Sequence, residues 1–106
     1  MRRIQQRCRE GSPGTLVELC FLELMSPSLA EAVNALAGRG LRRITVVPLF
    51  LAQGGHLKRD LPGIISEVQA AHRELRIDVT SAIGDSAQLI EAIADWALAQ
   101  HRARQP

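Results

Sequence analysis

The run from Ile44 to Leu51 is apolar at nearly every position and rich in β-branched residues. This constrains the fold more than any other feature. A strand with one wet face alternates apolar with polar residues, whereas an almost unbroken apolar run suits a strand buried on both faces, as in a parallel sheet. Leu16 to Leu22 reads the same way, interrupted by Glu18. Between them, Ser28 to Arg39 carries Leu29, Val33, Leu36 and Ala37 at helical spacing. Ser26-Pro27 or a Ser28/Glu31 capping box opens this helix, and Gly38 or Gly40 closes it. The product is a β-α-β unit with the usual right-handed crossover.

The pattern then repeats. Asp60 and Pro62 mark a helix start, and Ile64, Ile65, Val68 and Ala71 or His72 form a stripe ending near Glu74. Leu75 to Ala82 follows as a strand, its alternation indicating one buried and one wetter face. Asp85 or Ser86 caps a last helix with Leu89, Ile93, Trp96 and Ala97 on one side. Ahead of all this, Ile4 and Cys8 form the apolar pair of a helix that ends at the turn Gly11-Ser12-Pro13-Gly14. The 106 residues suit a single domain, 1–106, of α/β class.

Composition removes several functions. Phe21, Phe50 and Trp96 are the only aromatic residues, too few for base stacking, and a net charge of +2 gives no nucleic-acid footprint. No stretch reaches the roughly 20 apolar residues of a membrane span, so the expected compartment is the cytoplasm. Two cysteines do not make a disulfide framework, and Cys8 and Cys20 are expected as thiols, with Cys20 in the core. Neither the P-loop nor the dinucleotide fingerprint occurs, so no nucleotide is expected. A Gly-x-Ser-x-Gly elbow and Cys-x-x-Cys are missing too, which removes the usual support for hydrolase and oxidoreductase readings.

Ligands of open α/β sheets bind beyond the carboxyl ends of the strands. Three places qualify: Glu23 after the first run, the loop Gly54-Gly55-His56 with Lys58 and Arg59 after the second, and Gly84-Asp85-Ser86 after the third. Paired glycines allow close backbone approach, and an imidazole exchanges protons near neutral pH or binds a metal. His56 with Glu23 suits a borderline divalent ion such as Co, Ni, Fe or Zn. The competing reading makes His56 a helix cap and Glu23 a solvated carboxylate. Lys58 and Arg59 are either a solvated pair or partners for a polycarboxylate. His72 is explained by a helix dipole, His101 by the tail, and Arg42 and Arg43 by ordinary surface charge.

Three motifs in order carry a resemblance: Phe21-Leu22-Glu23-Leu24 followed by Ser26-Pro27-Ser28-Leu29, then Arg43 to Leu51, then Gly54 to Pro62. From about Cys8 to Leu98 the chain resembles the small sirohydrochlorin chelatases of cobalamin and siroheme biosynthesis. The resemblance implies a three-layer α/β/α sandwich with a parallel sheet. It also implies ATP-independent insertion of Co(II), or in relatives Fe(II) or Ni(II), into sirohydrochlorin. His56 would match the family's metal-binding and proton-accepting histidine, Glu23 its acidic residue, and the small members pair as homodimers. Gly54, Gly55, Lys58 and Arg59 would then face the substrate. The family pattern begins with a strand ending in a His-Gly-Ser-type motif, and this sequence starts after it, in the following helix. The expected sheet therefore lacks its first strand and that strand's histidine. The alternative is a non-catalytic metal- or tetrapyrrole-binding module of the same fold, and a third reading is an interaction domain without a ligand.

Overall fold

The computed structural model describes residues 1–22, 25–51 and 55–105, with side chains left out at 55–58. In chain order the elements are α1 (Arg2–Gly11), α2 (Leu29–Gly38), β1 (Arg43–Val46), α3 (Gly55–Ala71), β2 (Arg76–Val79), a 3₁₀ turn (Ile83–Asp85) and α4 (Ala87–Ala103). The chain is α/β, with β1 and β2 parallel in the register Arg43↔Arg76 to Val46↔Val79. The ladder extends beyond the strands, since the Arg76 and Thr80 amides donate to the carbonyls of Arg42 and Val46 at 2.8 and 3.0 Å.

Local chemistry sets the start and end of α2. The Ser28 hydroxyl accepts from the Glu31 amide at 3.1 Å, and the Glu31 carboxylate accepts from the Ser28 amide at 3.0 Å, the reciprocal capping box. After the helix, Gly40 turns the chain at φ +84, a backbone conformation that disfavours a side chain. Leu29, Val33 and Leu36 of α2 then pack with Ile44 of β1, Val68 of α3 and Leu75 into the core, and half-buried Cys20, Leu22, Ile64, Ile65 and Ile77 surround them. Cys20 thus takes the packing role expected of it.

The strands are shorter than their apolar runs. β1 stops at Val46, two residues before Pro48, which has no N–H to give a ladder. Beyond it the chain keeps bonds on one side only, with the Ile83 and Gly84 amides donating to the carbonyls of Pro48 and Phe50 at 3.1 and 2.9 Å. The run Leu16 to Leu22 forms no ladder among the described residues. Its Phe21 makes one isolated bridge to Ser28, and the Val17 carbonyl is taken by the Gln5 and Arg9 side chains of α1 at 2.8 and 2.7 Å. An apolar run becomes a strand only where another strand lies beside it.

The helices cover the sheet unevenly. Ile44 and Val46 face α2 and α3, while Arg43 and Thr45 of β1 and Arg76 and Asp78 of β2 are exposed on the other face. Neither α1 nor α4 buries a residue, although the sequence gives each an apolar stripe, Ile4/Cys8 and Leu89/Ile93/Trp96/Ala97. The radius of gyration is accordingly 16.6 Å, where a compact chain of this length has about 13 Å. Among the described residues no helix is long and apolar enough to cross a membrane.

Candidate functional site

Parallel strands send their carboxyl ends to one edge of the sheet, and each helix that follows a strand begins there. α3 starts at this edge after β1, and the 3₁₀ turn and α4 start there after β2. α2 packs beside α3 on the same face and leads back to the start of β1, so its N-terminus lies at the same edge. Unsatisfied amides and the helix dipole make this edge favourable to carboxylates.

Gly84 holds one side of the edge together. A Cβ there would sit 2.3 Å from the Leu51 carbonyl oxygen and 2.8 Å from that of Phe50. Only glycine lets the turn after β2 press against the segment that leads to the Gly54-Gly55-His56 motif. The sequence marked Gly84 only as a residue beyond a strand, because nothing local announces a backbone contact with residues over thirty positions earlier.

The motif itself differs from a loop. The sequence placed a helix start at Asp60 and Pro62, since proline favours a first turn, but α3 begins at Gly55 and runs through Pro62. Gly55, His56, Lys58 and Arg59 therefore belong to the first turns of a helix, which fixes their backbones. Pro62 is the eighth residue of the helix, so its missing N–H removes an interior bond to the carbonyl of Lys58. The side chains of His56 and Lys58 lie outside the described residues, as do Glu23 and Gly54. Arg59 is exposed. On the α2 side the Phe21 amide donates to the Pro27 carbonyl at 2.9 Å, Met25 is exposed and the Ser26–Pro27 bond is cis.

Two groups near this edge carry shifted protonation. Burial pushes the Cys20 thiol up, so it stays protonated and unreactive at neutral pH. The Ser28 amide and hydroxyl hold the Glu31 carboxyl below the usual carboxylate range, so Glu31 stays ionised as a cap. Among the described residues no three His, Cys, Asp or Glu side chains converge on a shared cation position.

His72 has a structural duty at the far end of α3. Its ring Nε2 shares a hydrogen bond with Asn34 Oδ1 of α2, and Nδ1 lies 3.8 Å from Glu74 Oε1. It clips the two helices together beside a groove of about 180 Å³ lined by Ala30, Asn34, Ile64, Glu67 and Val68. The sequence attributed His72 to the helix dipole and missed Asn34, thirty-eight positions away.

Comparisons with other proteins agree on one family. The CbiX family model matches residues 1–98. A sirohydrochlorin cobaltochelatase of Saccharolobus islandicus (strain L.S.2.15 / Lassen #1) is 34% identical over 84 residues, covering 74% of this chain and 66% of its own length. A sirohydrochlorin ferrochelatase of Priestia megaterium is 28% identical over 90 residues, covering 85% of this chain and 34% of its own length. The chain thus spans about a third of one relative and just under two thirds of the other. The crystal structure of a CbiX protein of Marinobacter aquaeolei VT8, assigned to cobalamin (vitamin B12) biosynthesis, superposes with a TM-score of 0.76 at 31% identity, covering 98% of this chain and 86% of that one. A family match across nearly the whole chain, with the same backbone in a relative of known structure, leads to one conclusion: the chain belongs to the CbiX family.

Proposed function

We propose that this chain acts as a sirohydrochlorin chelatase, inserting a divalent metal ion into the tetrapyrrole without ATP. The family match over residues 1–98 carries the reading, and the names of the cobalt and iron chelatases among its relatives supply the reaction class. In that reaction the metal ion is a substrate. It exchanges its outer ligands for four ring nitrogens as two pyrrole N–H protons leave, so no electrons move and no nucleotide is required. The protein must hold the ion loosely, accept protons and seat the macrocycle.

Each role falls to a residue of the three ordered motifs. His56 accepts the pyrrole protons and, with Glu23, holds the ion before transfer. Gly54 and Gly55 let the macrocycle approach the backbone, and Lys58 and Arg59 attract its carboxylates. Co(II) is the metal to test first, followed by Fe(II) and Ni(II), because His and carboxylate ligands suit all three. The working unit is a homodimer.

The test is anaerobic incubation of the purified chain with sirohydrochlorin and each metal, followed by visible absorption. The reading expects metallation clearly faster than in protein-free solution, with cobalt at least as fast as iron. Rates equal to the protein-free control for all three metals would overturn it. Calorimetric binding of Co(II) or sirohydrochlorin without turnover would establish the binding-module alternative instead.

A further inference from the structure

The turn after β2 bears on the His56 motif through the backbone. Beyond Val46 the chain has left its ladder, and the described backbone bonds of the tail 48–51 are two. The Ile83 amide donates to the Pro48 carbonyl at 3.1 Å and the Gly84 amide to the Phe50 carbonyl at 2.9 Å. Both donors belong to one short turn, which leads into α4 through the Ser86 cap. Three residues separate Leu51 from Gly55, where α3 begins. The described core residues of α3 begin later in the helix, at Leu61. Its first turn, to which His56 belongs, is therefore placed by the tail that enters it.

A Cβ at position 84 would lie 2.3 Å from the Leu51 carbonyl oxygen, 2.8 Å from that of Phe50 and 3.0 Å from the Leu51 carbonyl carbon. Ordinary van der Waals contact starts at 3.4 Å, so a methyl group has to open this contact by about 1 Å. All three atoms are main chain and none can rotate aside. Gly11, Gly14, Gly38, Gly40 and Gly63, by contrast, have no atom within 4 Å of such a Cβ, so the crowding is particular to this turn. Two movements can make the room. Either the tail shifts and carries the start of α3 with it, or the turn withdraws with α4 and the tail loses its described backbone bonds. Each moves the backbone of residue 56, and a misplacement of about 1 Å near a reacting group costs about a hundredfold in rate. We infer that Gly84 is a positioning residue for the metal-insertion step. Its lack of a side chain lets the turn after β2 fix the tail 48–51, and through that tail the start of α3 and His56. The effect on turnover rests on the chelatase reading above, whereas the effect on the place of residue 56 rests on the backbone geometry alone.

Steady-state metallation of sirohydrochlorin with Co(II), together with amide NMR spectra of the same samples, tests this on wild type, Gly84→Ala and Leu36→Ala, with circular dichroism as the check of folding. Leu36 lies in the core near the far end of α2, away from the carboxyl edge, so its variant controls for lost stability. Gly84→Ala should lower kcat by about ten- to a hundredfold, leave KM for sirohydrochlorin within about twofold, and shift the amide signals of Gly55 and His56. Leu36→Ala should keep kcat within about twofold of wild type and leave those signals in place. If Gly84→Ala does not fold, Ile83→Pro takes its place. Ala82 already has the extended backbone, φ −63 and ψ 150, of a residue before proline, and the exchange removes the amide bonded to the Pro48 carbonyl. Its effects should have the same signs. A Gly84→Ala kcat close to that of wild type, an equal loss in Leu36→Ala, or amide shifts that stop at Leu51 would overturn the inference. A wild type no faster than protein-free solution overturns the chelatase reading instead, and the amide shifts then decide whether Gly84 places residue 56.

Discussion

Helices α2 and α4 begin alike and end differently. Each is opened by a serine whose hydroxyl accepts an amide three residues on, Ser28 from Glu31 at 3.1 Å and Ser86 from Leu89 at 3.3 Å. Both carry an apolar stripe. Yet α2 buries Leu29, Ala32, Val33 and Leu36, whereas α4 buries no residue. The capping chemistry decides that a helix forms and where it starts, and periodicity decides which face is apolar. What covers that face is a matter of topology. α2 leads into β1 and shares a sheet face with α3, while α4 follows the last strand and, among the described residues, packs chiefly on the short 3₁₀ turn.

Substitutions can break the comparison or sharpen it. The largest effect is expected at Leu36, 9% exposed in the core, where Leu36→Ala should cost about 2–5 kcal/mol in urea unfolding. Gly84→Ala comes next. Its new methyl group meets backbone oxygens that cannot rotate away, so the turn after β2 must separate from residues 50–51 at a cost of about 1–3 kcal/mol. Ser28→Ala should then cost about 1 kcal/mol through loss of the capping box. Trp96→Ala, although it removes the largest side chain of the protein, should change unfolding by no more than about 0.5 kcal/mol. A Trp96 value as large as that of Leu36 would show that both helices are equally packed and abolish the contrast.

Acid sharpens the same contrast. The Glu31 carboxyl is held below its ordinary range when folded, so its contribution is fully present above the unfolded value and is lost as pH falls through the folded one. Protection of the amides at the start of α2, measured as exchange relative to the intrinsic rate at each pH, should therefore fall in acid. Glu31→Gln should remove that dependence, and the start of α4, which has no acidic residue in its first turn, should lack it.

Much of this was legible in the residues. Ser28 and Glu31 announced the box, and Leu29, Val33 and Leu36 the buried face. The alternation after Leu75 announced a strand with one wet face. Where local rules competed, the sequence misled: Pro62 looked like a helix start because proline fits a first turn, but α3 continues through it from Gly55. Leu16 to Leu22 looked like a strand because periodicity reports hydrophobicity and not the neighbour that a ladder requires. The pairing of Glu23 with His56 came from their places just beyond two strand-like runs and from the family resemblance, since two residues so far apart in sequence carry no spacing that demands a common site. Topology adds that α3, to which His56 belongs, starts at the carboxyl edge of the sheet, while Glu23 lies outside the described residues.

The central claim rests on His56, and the histidine at the other end of α3 provides its control. Initial rates of cobalt insertion into sirohydrochlorin, compared among wild type, His56→Ala and His72→Ala, decide it. The account predicts a loss of about a hundredfold in the catalysed rate for His56→Ala and a rate within about twofold of wild type for His72→Ala, whose ring only clips α2 to α3. A His56→Ala protein as fast as the wild type would contradict the account.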